Sequence, residues 1–320
     1  MQAAVISRAG ETPVFGEFNA PQPCEGESLV TVTAAAISHL VKGRAAGTHY
    51  SASGQFPLVV GIDGVGRLED GRRVYFVLPR APFGSMAERT VVRTAQCIAL
   101  PDDLDDVTAA ALANPGMSSW AALKERAKLK PGETVLINGA TGTSGRLAVQ
   151  IAKHLGAGKV IATGRDAEAL QSLAALGADV TITLLDDQRD MEAAFQQQFA
   201  DGVDVVLDYL WGRSAERLLI AAAKLGQDAV PIRFVQIGSL SGADITLPGA
   251  VLRSSAIELM GSGIGSIALD RLFDAVREML HAATPIGLKI ASTAVPLSDV
   301  ERAWPADDSR RRTVFTIAGR

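Results

Sequence analysis

Six consecutive residues, Ala140-Thr141-Gly142-Thr143-Ser144-Gly145, carry the clearest chemistry in this 320-residue chain. Their spacing is that of the glycine fingerprint for dinucleotides, with Ala140 where the first glycine usually stands. Gly142 would let a pyrophosphate approach the backbone, and Gly145 would let a helix pack close to the preceding strand. Amides at the start of that helix, with Gly139, Thr141, Thr143 and Ser144 around them, would hold the phosphates. A glycine turn can also be purely steric, so its flanks decide. Val135-Leu136-Ile137 reads as a buried parallel strand. Leu147, Ile151 and Leu155 recur every four residues beside Ala148 and Ala152, giving a helix with one apolar face closed by Gly156. Lys159 to Thr163 is a second strand, and together these segments form a βαβ unit.

The end of that second strand bears on which nucleotide is bound. An NAD site usually places a carboxylate there to accept from the ribose 2′-hydroxyl. The chain instead has Thr163-Gly164-Arg165, and Arg165 could pair with a 2′-phosphate through its planar fork. The expectation is NADPH rather than NADH, with Asp166 as the N-cap of a helix over Ala167 to Leu176. Ligands of such sheets lie beyond the carboxyl ends of the strands. Gly238 and Ser239, Gly261 and Ser262, and Tyr209 are therefore further candidates for cofactor contacts. For Tyr209 and Trp211, simple packing is an equal alternative.

The elements that must position these residues follow from the pattern of the whole chain. To about Leu100 it shows short strands at Val30 to Thr33, Arg73 to Val77 and Ala87 to Val92, consistent with an irregular β-barrel. From Val107 an alanine-rich run becomes helical, with Pro115-Gly116 expected to interrupt it and a domain boundary near residue 114. Strand and helix then alternate. Strands are expected at Val180 to Thr183, Val203 to Asp208, Phe234 to Gly238 and Glu258 to Gly261, with helices around Met191 to Phe199 and Ala215 to Lys224. Alternation of this kind predicts a doubly wound parallel sheet and an α/β fold class. A helix over Leu269 to His281 and a strand over Thr313 to Ile317 follow, the latter returning to the barrel. The expected domains are 1–114, 115–264 and 265–320, the first and last forming one catalytic domain around a Rossmann cofactor domain.

Composition narrows the function classes. The chain is 48% hydrophobic and carries 31 basic against 35 acidic residues. That balance argues against a nucleic-acid groove or a membrane-surface patch. No apolar run reaches membrane-spanning length, and charge follows the N-terminus too soon for a signal peptide, so a cytoplasmic location is expected. Cys24 and Cys97 lie in no metal-ligand spacing. The cluster Arg310-Arg311-Arg312 reads as a solvated run, His39 and His49 as solvated or capping, and His154 and His281 as structural.

Taken together, the chain resembles the medium-chain dehydrogenase/reductase superfamily, in its zinc-independent, quinone oxidoreductase-like branch. The resemblance rests on Phe56 through Gly66, on Leu129 through Gly145, and on Thr246-Leu247-Pro248 through Ser262. It implies a GroES-like β-barrel catalytic domain beside the Rossmann domain. Zinc alcohol dehydrogenases of the superfamily carry a Cys, a Gly-His-Glu, and a Cys or Asp at places that here read Ala36-Ile37-Ser38-His39, Gly61-Ile62-Asp63 and Asn114-Pro115. Zinc needs several converging ligands, so no metal is expected.

What the resemblance implies is hydride transfer from NADPH to a small-molecule quinone or α,β-unsaturated carbonyl, which is electrophilic without a metal. Related enoyl reductases carry a tyrosine acid in the region of Tyr50, followed by an Asn-Pro that Asn114-Pro115 resembles. Tyr50 is therefore the candidate catalytic residue and Asn114 a candidate cofactor contact, with an ordinary loop aromatic as the alternative for Tyr50. Relatives commonly pair through the strand at Glu258 to Ser262, which implies a homodimer. Two other readings stay open: an enoyl-thioester reductase, and an NADPH-binding sensor or structural protein with little turnover.

Overall fold

A computed structural model describes residues 1–52, 54–184, 188–308 and 311–317. The chain divides into two units, Met1–Asn114 with Arg277–Arg320, and Pro115–Val276. In chain order the first segment contains β1 (Gln2–Ile6), β2 (Val14–Glu17), β3 (Glu27–Ala36), α1 (His39–Ala45), β4 (Leu58–Val59), β5 (Asp63–Leu68), β6 (Arg73–Val77), β7 (Arg89–Arg93) and β8 (Cys97–Ala99). Helix α2 (Asp106–Ala121) leads into the second unit. There follow β9 (Thr134–Asn138), α3 (Thr143–His154), β10 (Lys159–Gly164), α4 (Ala167–Gln171), β11 (Val180–Thr183), α5 (Gln188–Asp201), β12 (Val205–Asp208), α6 (Gly212–Leu225), β13 (Ile232–Gln236), α7 (Gly249–Arg253) and β14 (Ile257–Gly261). The chain ends with α8 (Leu269–Ala283), β15 (Ser292–Pro296), α9 (Val300–Ala306) and β16 (Arg312–Thr316).

Alternating burial makes the first unit. A three-stranded sheet runs β2-β1-β4, and a mixed seven-stranded sheet runs β15-β16-β3-β5-β6-β8 with β7 also paired to β3. Strand β16 pairs antiparallel with β3, Phe315 opposite Ala35, so the tail completes the sheet built from the N-terminal segment. Val30, Val32, Val74, Phe76, Val92 and Phe315 form its core, with Trp304 of α9 against them.

In the second unit all pairings are parallel, and the order is β11-β10-β9-β12-β13-β14. The α/β class and the doubly wound sheet read from the sequence are thus present. Val135, Leu136 and Ile137 are fully buried because β9 has strands on both sides and helices on both faces of its sheet. Leu147 and Ile151 of α3 are equally buried, each contributing ~2 kcal/mol by burial of its side chain. The strand order reverses between β9 and β12, which creates a crevice at their carboxyl ends.

Several sequence expectations need correction. Helix α2 runs through Pro115-Gly116 instead of stopping there. Ser118 and Ser119 hydroxyls donate to the carbonyls of Pro115 and Gly116, and a π-helical turn at Ala122–Arg126 ends the segment. The helix expected over Ala167 to Leu176 is α-helical only to Gln171 and tightens to a 3-10 turn at Ala174–Leu176. The Ser172 hydroxyl bonds back to the Ala169 carbonyl at 2.6 Å, competing with helix continuation. The strand expected over Ala87 to Val92 begins at Arg89, Ala87 making only an isolated bridge to Ala3. The unit boundary falls at Val276/Arg277, inside α8, whereas the periodicity places it after residue 264. Among the described residues no helix is long and apolar enough to cross a membrane.

Candidate functional site

Strand β9 ends in a polar residue that its apolar neighbours do not announce. Asn138 is fully buried, and its side chain links three strand ends. Its Nδ2 donates to Asp208 Oδ1 at 2.8 Å and to Ser214 Oγ at 2.9 Å, while its Oδ1 accepts from Thr163 Oγ1 at 2.8 Å. Thr163 Oγ1 in turn accepts from the Gly139 amide, and the Ala140 amide donates to the Thr163 carbonyl at 2.7 Å. Asp208 also accepts from the amides of Leu210 and Trp211. Burial raises the Asp208 carboxyl above its usual range, opposed by these hydrogen bonds. This network holds the glycine turn in place. The sequence reading missed Asn138 and Asp208 as positioning residues; the signal available was a polar residue closing each of two apolar strands.

On that support the turn leads straight into α3. Gly139 needs its positive φ of 90°, and a Cβ there would sit 2.8 Å from the Leu210 side chain. At Gly145 a Cβ would overlap the Gly139 carbonyl and the Ala140 backbone, so only glycine allows helix and turn to approach this closely. Gly142 differs: nothing lies within 4 Å of where its Cβ would be, and it caps α3 without a side-chain hydrogen bond. A helix N-terminus whose capping residue is glycine, with open space over that glycine, is a cradle for an anion. At the end of β10, Gly164 packs against Thr141, and Arg165 is exposed. Among the described residues its guanidinium has no hydrogen-bond or ion-pair partner. Asp166 caps α4 by accepting from the Ala169 amide at 3.0 Å.

The remaining cofactor candidates divide. Gly238 lies against the Tyr209 carbonyl, at the end of β13, with Ser239 exposed beside it. Gly261 closes the edge strand β14 and its carbonyl accepts from Arg126 Nε at 2.8 Å; the Ser262 amide donates to the Gln236 carbonyl. The side chains of Thr163 and Tyr209 face inward. Tyr209 is buried, its hydroxyl 3.4 Å from Ser118 Oγ, and burial pushes it up to about 12. Trp211 is half-buried at a φ of 58° and packs on the core beneath α6. Packing, the alternative for this pair, is what both do. Asn114 lies in α2, where the first segment of the first unit ends.

The first unit holds Tyr50. It is 73% exposed, with its ring stacked on His49 at 4.2 Å between centroids. His49 Nδ1 is 2.8 Å from Ser51 Oγ and accepts from the Ser51 amide at 3.2 Å. Acceptance at Nδ1 assigns the proton to Nε2. Burial lowers the His49 pKa, and the Arg44 charge lowers it further. Arg44 Nη1 donates to the same Ser51 hydroxyl at 3.0 Å. The loop bearing Tyr50 is thus tied to α1 through Ser51, and of the two readings of His49, solvated or capping, its acceptance of the Ser51 amide fits the second.

At the places compared with zinc ligands, the side chains are engaged otherwise. Ser38 Oγ caps α1, accepting from the Val41 amide at 3.0 Å, while His39 is exposed. Asp63 is buried, accepts from the Tyr75 hydroxyl at 2.9 Å, and is pushed by burial up to about 6 against the pull of Arg312 and of the Tyr75 bond. Arg312, read from sequence as part of a solvated run, is buried on β16. Its position in the register of a central sheet strand turns it inward, whereas Arg311 is exposed and bonds Thr293 Oγ1; Arg310 lies outside the described residues.

Comparison with known proteins bears on both units. A family model described as zinc-binding dehydrogenase matches residues 145–283. The chain is 31% identical over 365 aligned residues to a probable NADPH-dependent quinone reductase, tdiC, of Emericella nidulans, covering 99% of this chain and 100% of the relative. It is 30% identical to a 2-haloacrylate reductase of a Burkholderia species, covering 78% and 81% respectively. Among solved structures, the quinone oxidoreductase of Thermus thermophilus, determined also as its complex with NADPH, superposes with a TM-score of 0.81 at 26% identity, over 99% of this chain and 100% of that one.

Proposed function

The chain belongs to the medium-chain dehydrogenase/reductase superfamily, in its quinone oxidoreductase-like branch, and we propose that it is an NADPH-dependent oxidoreductase that passes hydride to a quinone or an α,β-unsaturated carbonyl without zinc. The observation that carries this reading is the open space over Gly142 at the start of α3, with the unpartnered Arg165 at the end of β10. The residues fit NADPH. The α3 amides and Gly142 would hold the pyrophosphate, and Arg165 would pair with the 2′-phosphate. Gly238, Ser239, Gly261 and Ser262 supply backbone along the strand ends. Thr163 and Tyr209 act from beneath, by fixing the turn.

NADPH, when bound, supplies a hydride. In the reduction of an enone that hydride goes to the β-carbon, and charge develops on the carbonyl oxygen. Tyr50 is the proposed donor to that oxygen through its phenolic hydroxyl, and its stacking on His49 fixes the ring. Arg44 and Ser51 hold His49 in place, so the three position the donor rather than react. The metal-free reading rests on the commitments of Ser38 to a helix cap and of Asp63 to Tyr75, which leave no converging ligand set at those places.

A homodimer formed along β14 and a cytoplasmic location complete the proposal. The dimer reading rests on β14 being the outer strand of its sheet, with Glu258 and Leu259 exposed. Mixing the protein with NADPH and a panel of quinones, enones, enals and enoyl-CoA, and following the absorbance of the reduced nicotinamide, tests the function. Oxidation with quinone or enone supports it. Turnover confined to enoyl-CoA, or nucleotide binding with no oxidation across the panel, overturns it. Light scattering at several concentrations tests the dimer.

A further inference from the structure

Two of the half-buried arginines in this protein hold carboxylates. Arg73 meets Asp106, and Arg233 meets Glu133 at 2.7 Å. Arg44 has no such partner. It is half-buried on α1, its bonded partner is the neutral Ser51 hydroxyl, and among the described residues no carboxylate pairs with it. Burial alone lowers its pKa, with no anion acting to restore it. A guanidinium withdrawn from water without a counter-charge is costly to keep, and its cost falls when an anion arrives.

Beside it lies a place for the rest of such a ligand. Arg44 lines a cavity of about 80 Å³ in the first unit, whose other walls are apolar, including Val41, Leu58, Ile62, Leu78 and Phe83. Arg44 is the one ionisable residue among those lining it. One cation against apolar walls matches a small molecule with one anionic end and a compact hydrocarbon body.

We propose that the Arg44 cavity binds the carboxylate of a short α,β-unsaturated acid, and that acids of this class are acceptors for the enzyme. This inference rests on the NADPH reductase reading above. The guanidinium would neutralise the carboxylate, which otherwise feeds charge into the double bond, and so make the β-carbon a better hydride acceptor. In the balanced reaction the acid, NADPH and one proton give the saturated acid and NADP+. Hydride forms the new bond at the β-carbon, the C=C π bond breaks, and the α-carbon takes the proton.

The test uses the full-length protein and compares crotonate with crotonamide, which have the same shape and differ in charge. Binding is measured by titration calorimetry in the presence of NADP+, and turnover by NADPH oxidation. Wild-type protein is expected to bind crotonate at least tenfold more tightly than the amide. Arg44→Met is expected to remove that preference, a loss of about 10- to 100-fold for one charge-assisted pair. Arg44→Lys, which keeps the charge but not the fork, should retain part of it, and it guards against a folding defect in the first variant. Equal binding of acid and amide by wild type, or an unchanged preference in Arg44→Met, overturns the proposal. Benzoquinone and methyl vinyl ketone run alongside separate the two readings. If they are reduced while crotonate shows no preference, only the Arg44 proposal fails; if nothing oxidises NADPH, the reductase reading fails as well.

Discussion

Asn138 and Asp208, seventy positions apart, share a buried 2.8 Å hydrogen bond from Nδ2 to Oδ1 across the adjacent ends of β9 and β12. The bond sits where the strand order reverses, and it supports the glycine turn from below. Asp208→Ala would leave the Asn138, Leu210 and Trp211 donors unsatisfied. A destabilisation of about 3 kcal/mol or more is expected, together with weaker NADPH binding. Urea unfolding with and without nucleotide measures both; an unchanged midpoint would remove the network from its supporting role.

Two glycines of the turn separate fold from function. Gly145→Ala places a methyl against the Gly139 carbonyl and should cost about 1–3 kcal/mol of stability through overpacking. Gly142→Ala meets no protein atom within 4 Å at an ordinary φ of −78°, so stability should hold or rise by about 0.5 kcal/mol. Its methyl would occupy the space over the helix start, and NADPH affinity should drop about tenfold or more. Melting curves set against nucleotide titrations show whether the two effects divide this way.

Arg165 is expected to discriminate the 2′-phosphate. Arg165→Ala should weaken NADPH binding about 10- to 100-fold and leave NADH binding unchanged. Equal losses for both nucleotides would assign Arg165 another role.

Tyr50 is placed as the proton donor. Tyr50→Phe keeps the ring that stacks on His49 and removes only the hydroxyl. Enone reduction should fall about 100-fold in kcat, the low end for general acid catalysis, while NADPH affinity is retained. Full activity in this variant would leave Tyr50 as a loop aromatic.

Asp63 makes the first unit sensitive to pH. Its pKa rises from 3.8 to about 6 on folding, chiefly through burial. The folded state therefore binds the proton more tightly than the unfolded chain. The stabilisation this gives is complete below about pH 4 and is lost as pH rises through about 6, a change of about 3 kcal/mol. Asp63→Asn should flatten this part of the profile. It should also lower stability above pH 6, because Arg312 would lose its buried counter-charge. Unfolding free energies of both proteins across pH 4 to 7.5 provide the comparison.

The sequence by itself determined the parts governed by local periodicity and backbone sterics. The βαβ unit around Gly142 and Gly145, the N-cap at Asp166, the parallel sheet and the return of the last strand were all legible, because strand and helix bury their apolar residues at different periods. Arg165 was legible for a related reason: its place is fixed by counting along one strand. What the tertiary structure decided were contacts between residues far apart in the chain. Pro115 continues a helix because the burial of Ala109 through Ala113 in the same helix outweighs its missing amide. Arg312 is buried rather than solvated because sheet register turns it inward beside the charge of Asp63. Asn138 and Asp208 become one network, and Arg44 becomes a cation beside an apolar cavity, only when segments from distant positions meet. Charge, burial and counter-charge are properties of that meeting, and no spacing along the chain encodes them.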